Sequence, residues 1–284
     1  MISVAALTPR RPAGVSIDIA AALELLDFLE SKGVDGITLL GSTGEFLHFE
    51  PEDRARFAAM AIKRCRVPVL VNASHSTLDG SIDLAQQAAD AGAAGVLIMP
   101  PIYFRYTQES IRAFCLEFAA QVKIPVFLYN IPQFTTEIKL ATALDLLHTG
   151  AFAGIKDSSG SWENFVELQR SGTQVFVGAE AIYSRAVREG GYGAISGIAS
   201  VVPELMVGID RRARAGQDTS ALDAKACEFV DRMMAFPFPM ALREAAAIRG
   251  LKVGPHAAPL GPDECVRMQE FRSWFRDWLK TAGS

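Results

Sequence analysis

The stretch IPVFLYN at residues 124–130 and the stretch FAGIKD at residues 152–157 together determine the fold class. Each is a short, nearly unbroken apolar run, as expected for a parallel strand that is buried on both faces. Between them lies a helical segment that ends at Gly150, a residue type common at helix C-termini. The sequence therefore predicts a strand, a helix and a second strand that runs parallel to the first.

The same alternation repeats on both sides of this unit. Six more apolar runs of strand length are separated by amphipathic segments, several of which end in glycine (Gly33, Gly92 and Gly172). These runs are VAAL at 4–7, GITLLG at 36–41, VPVLVNAS at 67–74, GVLIMP at 95–100, TQVFVG at 173–178 and GAISGI at 193–198. Eight strands in this order predict a (β/α)8 TIM barrel. The alternative is a doubly wound sheet, whose dinucleotide-binding form carries GxGxxG after the first strand, where this chain has LTPRRPAG.

After Pro203 the strand pattern stops and only helical patterns follow. We expect the first of these helices to close the barrel. The breaker segments FPFP and GPHAAPLGP separate the later helices from one another. We therefore assign residues 1–215 to the catalytic barrel and residues 216–284 to a C-terminal helical extension.

Composition excludes several functional classes. A formal charge of −4 over 284 residues does not indicate a nucleic-acid partner, and no apolar run is long enough to predict a membrane span. The four cysteines lie far apart and form no CxxC pair, which predicts reduced thiols in the cytoplasm. Cys65 lies between two arginines that would lower the pKa of its thiol, but no base lies nearby in the sequence, and we interpret it as unreactive.

Lys156 and Tyr129 are the strongest candidates for chemistry. They end adjacent strands, so an amine and a phenol are expected in one pocket at the carboxyl end of the barrel. Since side chains alternate along a strand, Asp157 would point away from a pocket that contains Lys156. An unpaired amine in apolar surroundings can attack a ketone and form a Schiff base. The structural alternative is a lysine that extends its amine into water.

Three motifs carry a resemblance to a known family. They are GSTGE at residues 41–45, YNIP at 129–132 and GIKDSSG at 154–160. In this order and at this spacing the chain resembles the pyruvate-dependent class I aldolases and lyases around dihydrodipicolinate synthase and N-acetylneuraminate lyase. The resemblance extends over nearly the whole chain. It implies a lyase that acts on small molecules, needs no cofactor and forms a homo-oligomer, either a dimer or a homotetramer.

The resemblance also implies roles for individual residues. Lys156 would form the Schiff base with pyruvate or a related 2-oxo acid, and Tyr129 would transfer protons. Ser42, Thr43 and Gly44 would hold the carboxylate of the 2-oxo acid through hydroxyl and backbone N–H groups, and Thr43 would also belong to the catalytic set.

Two further residues follow from the same resemblance. Tyr103 aligns with a second catalytic tyrosine that reaches the site from a neighbouring subunit, with Tyr106 as the alternative. Ile195 would place its carbonyl oxygen near the pyruvyl group.

The substrate prediction depends on departures from the synthase pattern. Phe134 stands where synthases carry an arginine for the carboxylate of the aldehyde, Thr135-Thr136 replaces the usual Thr-Gly, and Phe46 replaces a small polar residue. These changes favour a 2-keto-3-deoxy sugar acid or a related 4-hydroxy-2-oxo acid over aspartate semialdehyde. Dihydrodipicolinate synthase and a 2-keto-3-deoxy acid dehydratase remain alternatives.

Other kinds of site also have to be considered. A metal-dependent aldolase would need ligands such as His48 or His75 at the rim, although we expect His48 on the following helix and predict no metal. A phosphate site could form in the segments after strands seven and eight, which contain VGAE and ISGIAS. The non-enzyme alternative is a barrel that binds a 2-oxo acid without reacting with it.

Overall fold

The computed structural model describes residues 1–13 and 16–282. Within this part of the chain, eight parallel strands form a closed barrel. Each strand pairs with its neighbours in the sequence, and the last strand pairs with the first. The predicted TIM barrel with a C-terminal helical extension is therefore confirmed, and the doubly wound alternative is wrong.

A helix follows each strand, and three more helices complete the described part of the chain. The strands are β1 (Ile2–Ala5), β2 (Gly36–Leu39), β3 (Val69–Asn72), β4 (Gly95–Ile98), β5 (Val126–Asn130), β6 (Gly154–Asp157), β7 (Gln174–Val177) and β8 (Gly193–Ser196). The helices are α1 (Ile19–Ser31), α2 (Pro51–Arg64), α3 (Leu78–Ala91), α4 (Gln108–Gln121), α5 (Leu140–His148), α6 (Trp162–Arg170), α7 (Tyr183–Arg188), α8 (Pro203–Arg214), α9 (Ser220–Met233), α10 (Met240–Ile248) and α11 (Pro262–Ala282).

The strands are covered on both faces, which explains their continuous apolar sequences. Every strand residue is buried except Gln174. Side chains that point inward fill the barrel, and those that point outward pack under the helices. A polar side chain that is buried in these strands is therefore unusual without a specific partner. Lys156 and Asp157, both buried on β6, therefore indicate a candidate site at this strand.

Capping residues explain where several helices begin and end. The side chains of Asp18, Thr77, Thr107 and Ser161 each accept a hydrogen bond from a backbone N–H in the first turn. The predicted glycines all adopt the left-handed conformation, which glycine reaches without steric cost: Gly33, Gly92, Gly150 and Gly172. These short, well-capped connections keep each βα loop at the same end of the barrel.

The C-terminal helices pack through aromatic rings. The ring centroid of Phe229 on α9 lies 5.2 Å from the ring centroids of both Phe275 and Trp278 on α11. This spacing is typical of favourable aromatic pairs. As expected, α8 packs against β1 beside α7 and closes the barrel. The division at residues 215 and 216 stays a prediction, and residues 283 and 284 of the proposed extension lie outside the described part.

The cysteines show no sign of a reactive thiol. All four are free. Burial, followed by the nearby carboxylates of Glu30 and Asp27, raises the pKa of Cys65 to about 12 in spite of its arginine neighbours. Burial alone raises the pKa of Cys115 to about 12. Among the helices of the described residues, none combines the length and the apolar character that crossing a bilayer requires.

Glu244 on α10 links α10 to α11 within the extension. Its ion pair predicts that the free energy of unfolding depends on pH. It accepts hydrogen bonds from His256 at 2.8 Å and from Arg272 on α11 at 2.7 Å. The hydrogen bonds and positive charges of His256 first, and then of Arg272, lower the pKa of Glu244 to about 2, against the opposing effect of burial. A depressed carboxyl pKa stabilises the fold at pH values above the unfolded pKa, and this stabilisation is lost as the pH falls through the folded pKa.

We therefore expect Glu244→Gln to lower the free energy of unfolding at pH 7. The difference from the wild type should shrink as the pH falls from about 4.5 towards 2 and below, since the folded Glu244 carboxyl then becomes protonated. Denaturant titrations across this pH range measure it, with the exposed Asp90→Asn as the control. A difference that stays constant down to pH 2 would contradict the assignment.

Candidate active site

The register between β5 and β6 places Tyr129 directly opposite Lys156. The Lys156 amine lies 4.1 Å from the centroid of the Tyr129 ring. Both side chains are buried, with exposed fractions of 4% for Lys156 and 2% for Tyr129. The two residues share one cavity, as predicted, and the alternative of a lysine that extends into water is wrong.

Asp157 does not neutralise this amine. Its carboxylate accepts a hydrogen bond from the Asn130 side-chain amide at 2.8 Å and another from the Ser159 hydroxyl at 2.6 Å. In the described part of the chain Lys156 takes part in no ion pair. Its amine is thus buried against an aromatic face, a favourable position for a cation and an accessible one for a ketone that enters the cavity.

The loop after β2 brings hydroxyl groups to the same cavity. The Ser42 hydroxyl lies 3.2 Å from the Tyr129 hydroxyl, and Thr43 is buried beside it. A side chain at Gly44 would crowd its neighbours, because a Cβ atom there would lie 3.0 Å from both the Leu40 Cα and the Thr8 hydroxyl oxygen. This loop is therefore closely packed against the segment that follows β1.

A buried ion pair holds this loop in place. Glu45 has a φ of 51°, a left-handed conformation that a non-glycine residue keeps only when its surroundings fix it. The Arg243 guanidinium on α10 donates to the Glu45 carboxylate at 2.5 Å and to the Thr8 carbonyl at 3.1 Å. It also donates to the carbonyls of Val253 and Pro255. The extension thereby supports the loop that carries Ser42 and Thr43.

The pKa values of the pair reflect their burial. Burial acts to raise the pKa of Glu45, but hydrogen bonds from His48 and Arg243 outweigh it, and the pKa lies below its usual value. Burial lowers the pKa of Arg243, while Glu45 acts in the opposite direction. Sequence reasoning missed this pair, because a single arginine in a helical pattern carries no signal for a partner 198 positions earlier.

We expect Arg243→Ala to lower the free energy of unfolding by about 3–5 kcal/mol. Removal of Arg243 leaves the buried Glu45 carboxylate without its guanidinium partner and takes the side-chain donor from the Thr8 and Pro255 carbonyls. A denaturant titration measures this loss. The matched control is Arg64→Ala, which breaks an exposed pair with Asp27 and should cost less than about 1 kcal/mol. Equal losses for the two variants would show that the buried pair does not anchor the loop.

Ile195 on β8 and Glu180, which follows β7, also line the cavity. Ile195 is fully enclosed and pairs with Ser3 of β1. The Glu180 carboxylate accepts a hydrogen bond from the Ser196 hydroxyl at 2.7 Å. The VGAE segment therefore presents a carboxylate to the ISGIAS segment, which disfavours binding of a phosphate at these two segments.

Tyr103 lies away from the cavity of its own chain. Its side chain is 89% exposed, its φ is 81°, and its ring contacts Phe104 edge-on at 5.0 Å. Tyr106 is half-buried, and its backbone N–H donates to the Thr136 hydroxyl at 3.4 Å. Neither tyrosine lines a cavity around Lys156, so a role for either in catalysis would require a neighbouring subunit.

The histidines do not form a metal site in the described residues, where no suitable group of three or more ligands occurs. His48 belongs to a 3₁₀ turn, Phe46–His48, and the expectation that it lies on the following helix is wrong. The reason is Pro51, which starts α2 three positions after His48. His48 contacts the Glu45 carboxylate at 3.2 Å, and His75 bonds to Thr77.

Apolar side chains of the extension complete the cavity, which has a volume of about 230 Å³. Val230, Met233 and Met234 on or next to α9 line it, together with Phe238 from the connection to α10. No local sequence pattern predicts these contacts, since the breaker segment FPFP indicates only a chain reversal. The site is thus built from both the barrel and the extension.

Comparison with known proteins identifies the family of this chain. The model of the dihydrodipicolinate synthetase family matches residues 1–276. The probable 2-dehydro-3-deoxy-D-pentonate aldolase YjhH of Escherichia coli is 34% identical over 216 residues, 72% of each chain. The 4-hydroxy-tetrahydrodipicolinate synthase of Oceanobacillus iheyensis is 26% identical over 270 residues, 92% of each chain.

A solved structure agrees as well. YagE, an Escherichia coli prophage protein crystallised in complex with pyruvate, has a TM-score of 0.89 at 26% identity, over 98% of this chain and 97% of that one. The resemblance carried by the three motifs and the prediction of a lyase are confirmed. This chain belongs to the dihydrodipicolinate synthetase family of class I, pyruvate-dependent lyases.

Proposed function

We propose that this protein is an aldolase that cleaves a 2-keto-3-deoxy sugar acid, or a related 4-hydroxy-2-oxo acid, into pyruvate and an aldehyde. The observation that carries the proposal is the buried, unpaired Lys156 amine, 4.1 Å from the Tyr129 ring in a cavity edged by Ser42 and Thr43. The name of the YjhH relative and the pyruvate complex of YagE support the same reaction class.

In the proposed mechanism, the Lys156 amine adds to the keto carbon of the substrate. Loss of water then leaves a protonated iminium between the amine nitrogen and that carbon. Ser42, Thr43 and the backbone at Gly44 hold the carboxylate through hydroxyl and N–H donors. The Ile195 carbonyl faces the pyruvyl group. Fixing the carboxylate in this way orients the carbon–carbon bond that breaks.

Tyr129 carries the proton transfers. It accepts the proton of the hydroxyl on the fourth carbon as the bond between the third and fourth carbons breaks. The electron pair of that bond moves into the iminium and gives an enamine, and the aldehyde leaves. Protonation of the enamine carbon and addition of water then release pyruvate and restore the Lys156 amine. The Ser42 hydroxyl, 3.2 Å from the phenol, gives the proton a second oxygen to move to.

The alternatives use parts of the same site. A dehydratase would start from the same iminium but expel a hydroxyl group. A barrel that only binds a 2-oxo acid would not require the Lys156 amine next to a phenol, because carboxylate binding alone needs neither group. Dihydrodipicolinate synthase would need a cation for a second carboxylate. Phe134 lies at the mouth of the cavity, and Arg105 donates to the Thr135 carbonyl at 3.3 Å instead.

We expect aspartate semialdehyde to be a poor partner for pyruvate and Phe134→Arg to improve it. A guanidinium at this position would supply a charge-assisted hydrogen bond of about 1.5–3 kcal/mol, which corresponds to an increase in kcat/KM of roughly 10- to 150-fold. The measurement compares kcat/KM for aspartate semialdehyde in both proteins, with Phe104→Arg as a control. A wild-type preference for this aldehyde would instead support the synthase.

We further propose a homo-oligomer, a dimer or a homotetramer, in which Tyr103 or Tyr106 reaches the cavity of a neighbour. The 89% exposure and the positive φ of Tyr103 support this proposal. The cytoplasm is the proposed location, and the four free cysteines favour it. No nucleic-acid or membrane partner is proposed.

The reaction is tested by incubating the protein with 2-keto-3-deoxy sugar acids and with other 4-hydroxy-2-oxo acids, including ones with an apolar tail, and measuring pyruvate and aldehyde. Release of both products in equal amounts supports the aldolase. Loss of water without pyruvate supports the dehydratase, and no reaction with any acid in the presence of tight binding supports the binding barrel.

A further inference from the structure

A second cavity of about 260 Å³ adjoins the one that contains Lys156. The two cavities share three lining residues, Ser42, Phe134 and Phe238. A cavity of about 150 Å³ is already enough to hold benzene. A substrate bound to Lys156 therefore has room to extend past Phe134 into the second cavity.

The wall of this second cavity is mainly apolar. Phe46 and Leu47 come from the loop after β2, and Met99 and Ile102 come from the end of β4. The polar groups on the wall are bonded to the protein. Glu45 is paired with Arg243 and His48, and the Thr135 hydroxyl donates to the Ile131 carbonyl at 3.3 Å. Apart from the His48 ring, which remains 44% exposed, and the Ser42 hydroxyl, the hydroxyl groups of a ligand would find few partners here to replace the water they lose.

The charges around both cavities also favour an uncharged ligand. Among the described residues that line them, only Lys156 and His48 can carry a positive charge. Lys156 is engaged with the 2-oxo acid in the proposed mechanism, and His48 contacts the Glu45 carboxylate. A phosphate or a second carboxylate would therefore enter an apolar space without a cation to pair with.

The passage between the cavities is lined by two aromatic rings. The centroids of Phe134 and Phe238 lie 5.7 Å apart, and the rings are tilted by 36°. Phe134 is still 51% exposed and Leu47 is 62% exposed. These surfaces are available to a ligand, and covering them would contribute favourably to its binding.

The geometry points to an aldehyde with an uncharged, apolar tail, which is seated against Phe134 and Phe238 and extends into the second cavity. This inference rests on the proposed function and selects a 4-hydroxy-2-oxo acid with an apolar tail instead of a sugar acid. In the synthetic direction, the enamine carbon of pyruvate bonds to the aldehyde carbon, the aldehyde oxygen takes up a proton, and water releases the product from Lys156.

Three aldehydes test the inference on the wild-type protein with pyruvate. Propanal and D-glyceraldehyde have the same carbon chain and differ in hydroxyl groups, and benzaldehyde tests the size of the tail. We expect kcat/KM to be at least about tenfold higher for propanal and for benzaldehyde than for D-glyceraldehyde. A preference for D-glyceraldehyde would overturn the inference. Borohydride reduction with pyruvate and no aldehyde distinguishes a failure of this inference from a failure of the proposed function. Absence of an adduct in that experiment would contradict the proposed function.

Variants then locate the tail. Phe134→Ala and Ile102→Ala should each lower kcat/KM for benzaldehyde by about tenfold. Leu47→Ser removes an exposed apolar side chain at the second cavity, and the matched control Val266→Ser removes one on α11. Only Leu47→Ser should reduce the preference for propanal. Trapping by pyruvate in each variant distinguishes a lost subsite from a lost fold. Unchanged selectivity in the three cavity variants would overturn the placement of the tail.

Discussion

Replacement of Lys156 by alanine should abolish both turnover and the formation of an adduct with pyruvate. We expect kcat to fall by more than about 10⁴-fold, because without the amine no iminium forms and no electron sink replaces it. The fold should persist, since Lys156 forms no ion pair in the described residues and alanine fits a barrel interior. Kinetics and borohydride trapping on the purified variant measure the two losses.

The control for this variant is Lys123→Ala. Lys123 is exposed in the connection between α4 and β5 and should be dispensable. A circular dichroism spectrum equal to that of the wild type would show that Lys156→Ala is folded. Retained trapping in Lys156→Ala would mean that another lysine carries the chemistry.

Tyr129→Phe should give the second largest effect. We expect kcat to fall by about 10²- to 10⁴-fold, because the ring and its packing remain while the proton-transferring hydroxyl is lost. The Lys156 amine keeps its aromatic neighbour, so an adduct with pyruvate should still form, although more slowly. The time course of trapping and the steady-state rate separate these two effects.

Tyr192→Phe is the matched control, since Tyr192 is partly exposed and packs on Phe176 outside the cavity. Its rate should equal that of the wild type. A Tyr129→Phe variant with normal turnover would require another acid and base, and Glu180, which lines the same cavity, would be the next residue to test.

The sequence predicted the barrel because parallel strands with two covered faces leave a clear pattern. The runs around Tyr129 and Lys156 are continuously apolar, and strand adjacency in a barrel follows the order of the chain. From these two facts the pairing of an amine with a phenol could be derived before the register was known. The left-handed glycines after the helices followed from local conformational preferences alone.

The supports of the site could not be predicted in this way. The contact between Arg243 and Glu45 joins residues that are 198 positions apart, and no local pattern encodes it. The same holds for Phe238, whose ring reaches Phe134 only because the extension folds back over the barrel mouth. His48 was misplaced because an apolar pattern does not distinguish the first turn of a helix from a preceding 3₁₀ turn.

The central claim is that the Lys156 amine forms a Schiff base with pyruvate. The most direct test incubates the wild-type protein with pyruvate and borohydride, digests it and determines by mass spectrometry which lysine carries the reduced adduct. The account predicts a single adduct on Lys156 that requires pyruvate. An adduct on a different lysine, or no adduct in a folded protein, would contradict it.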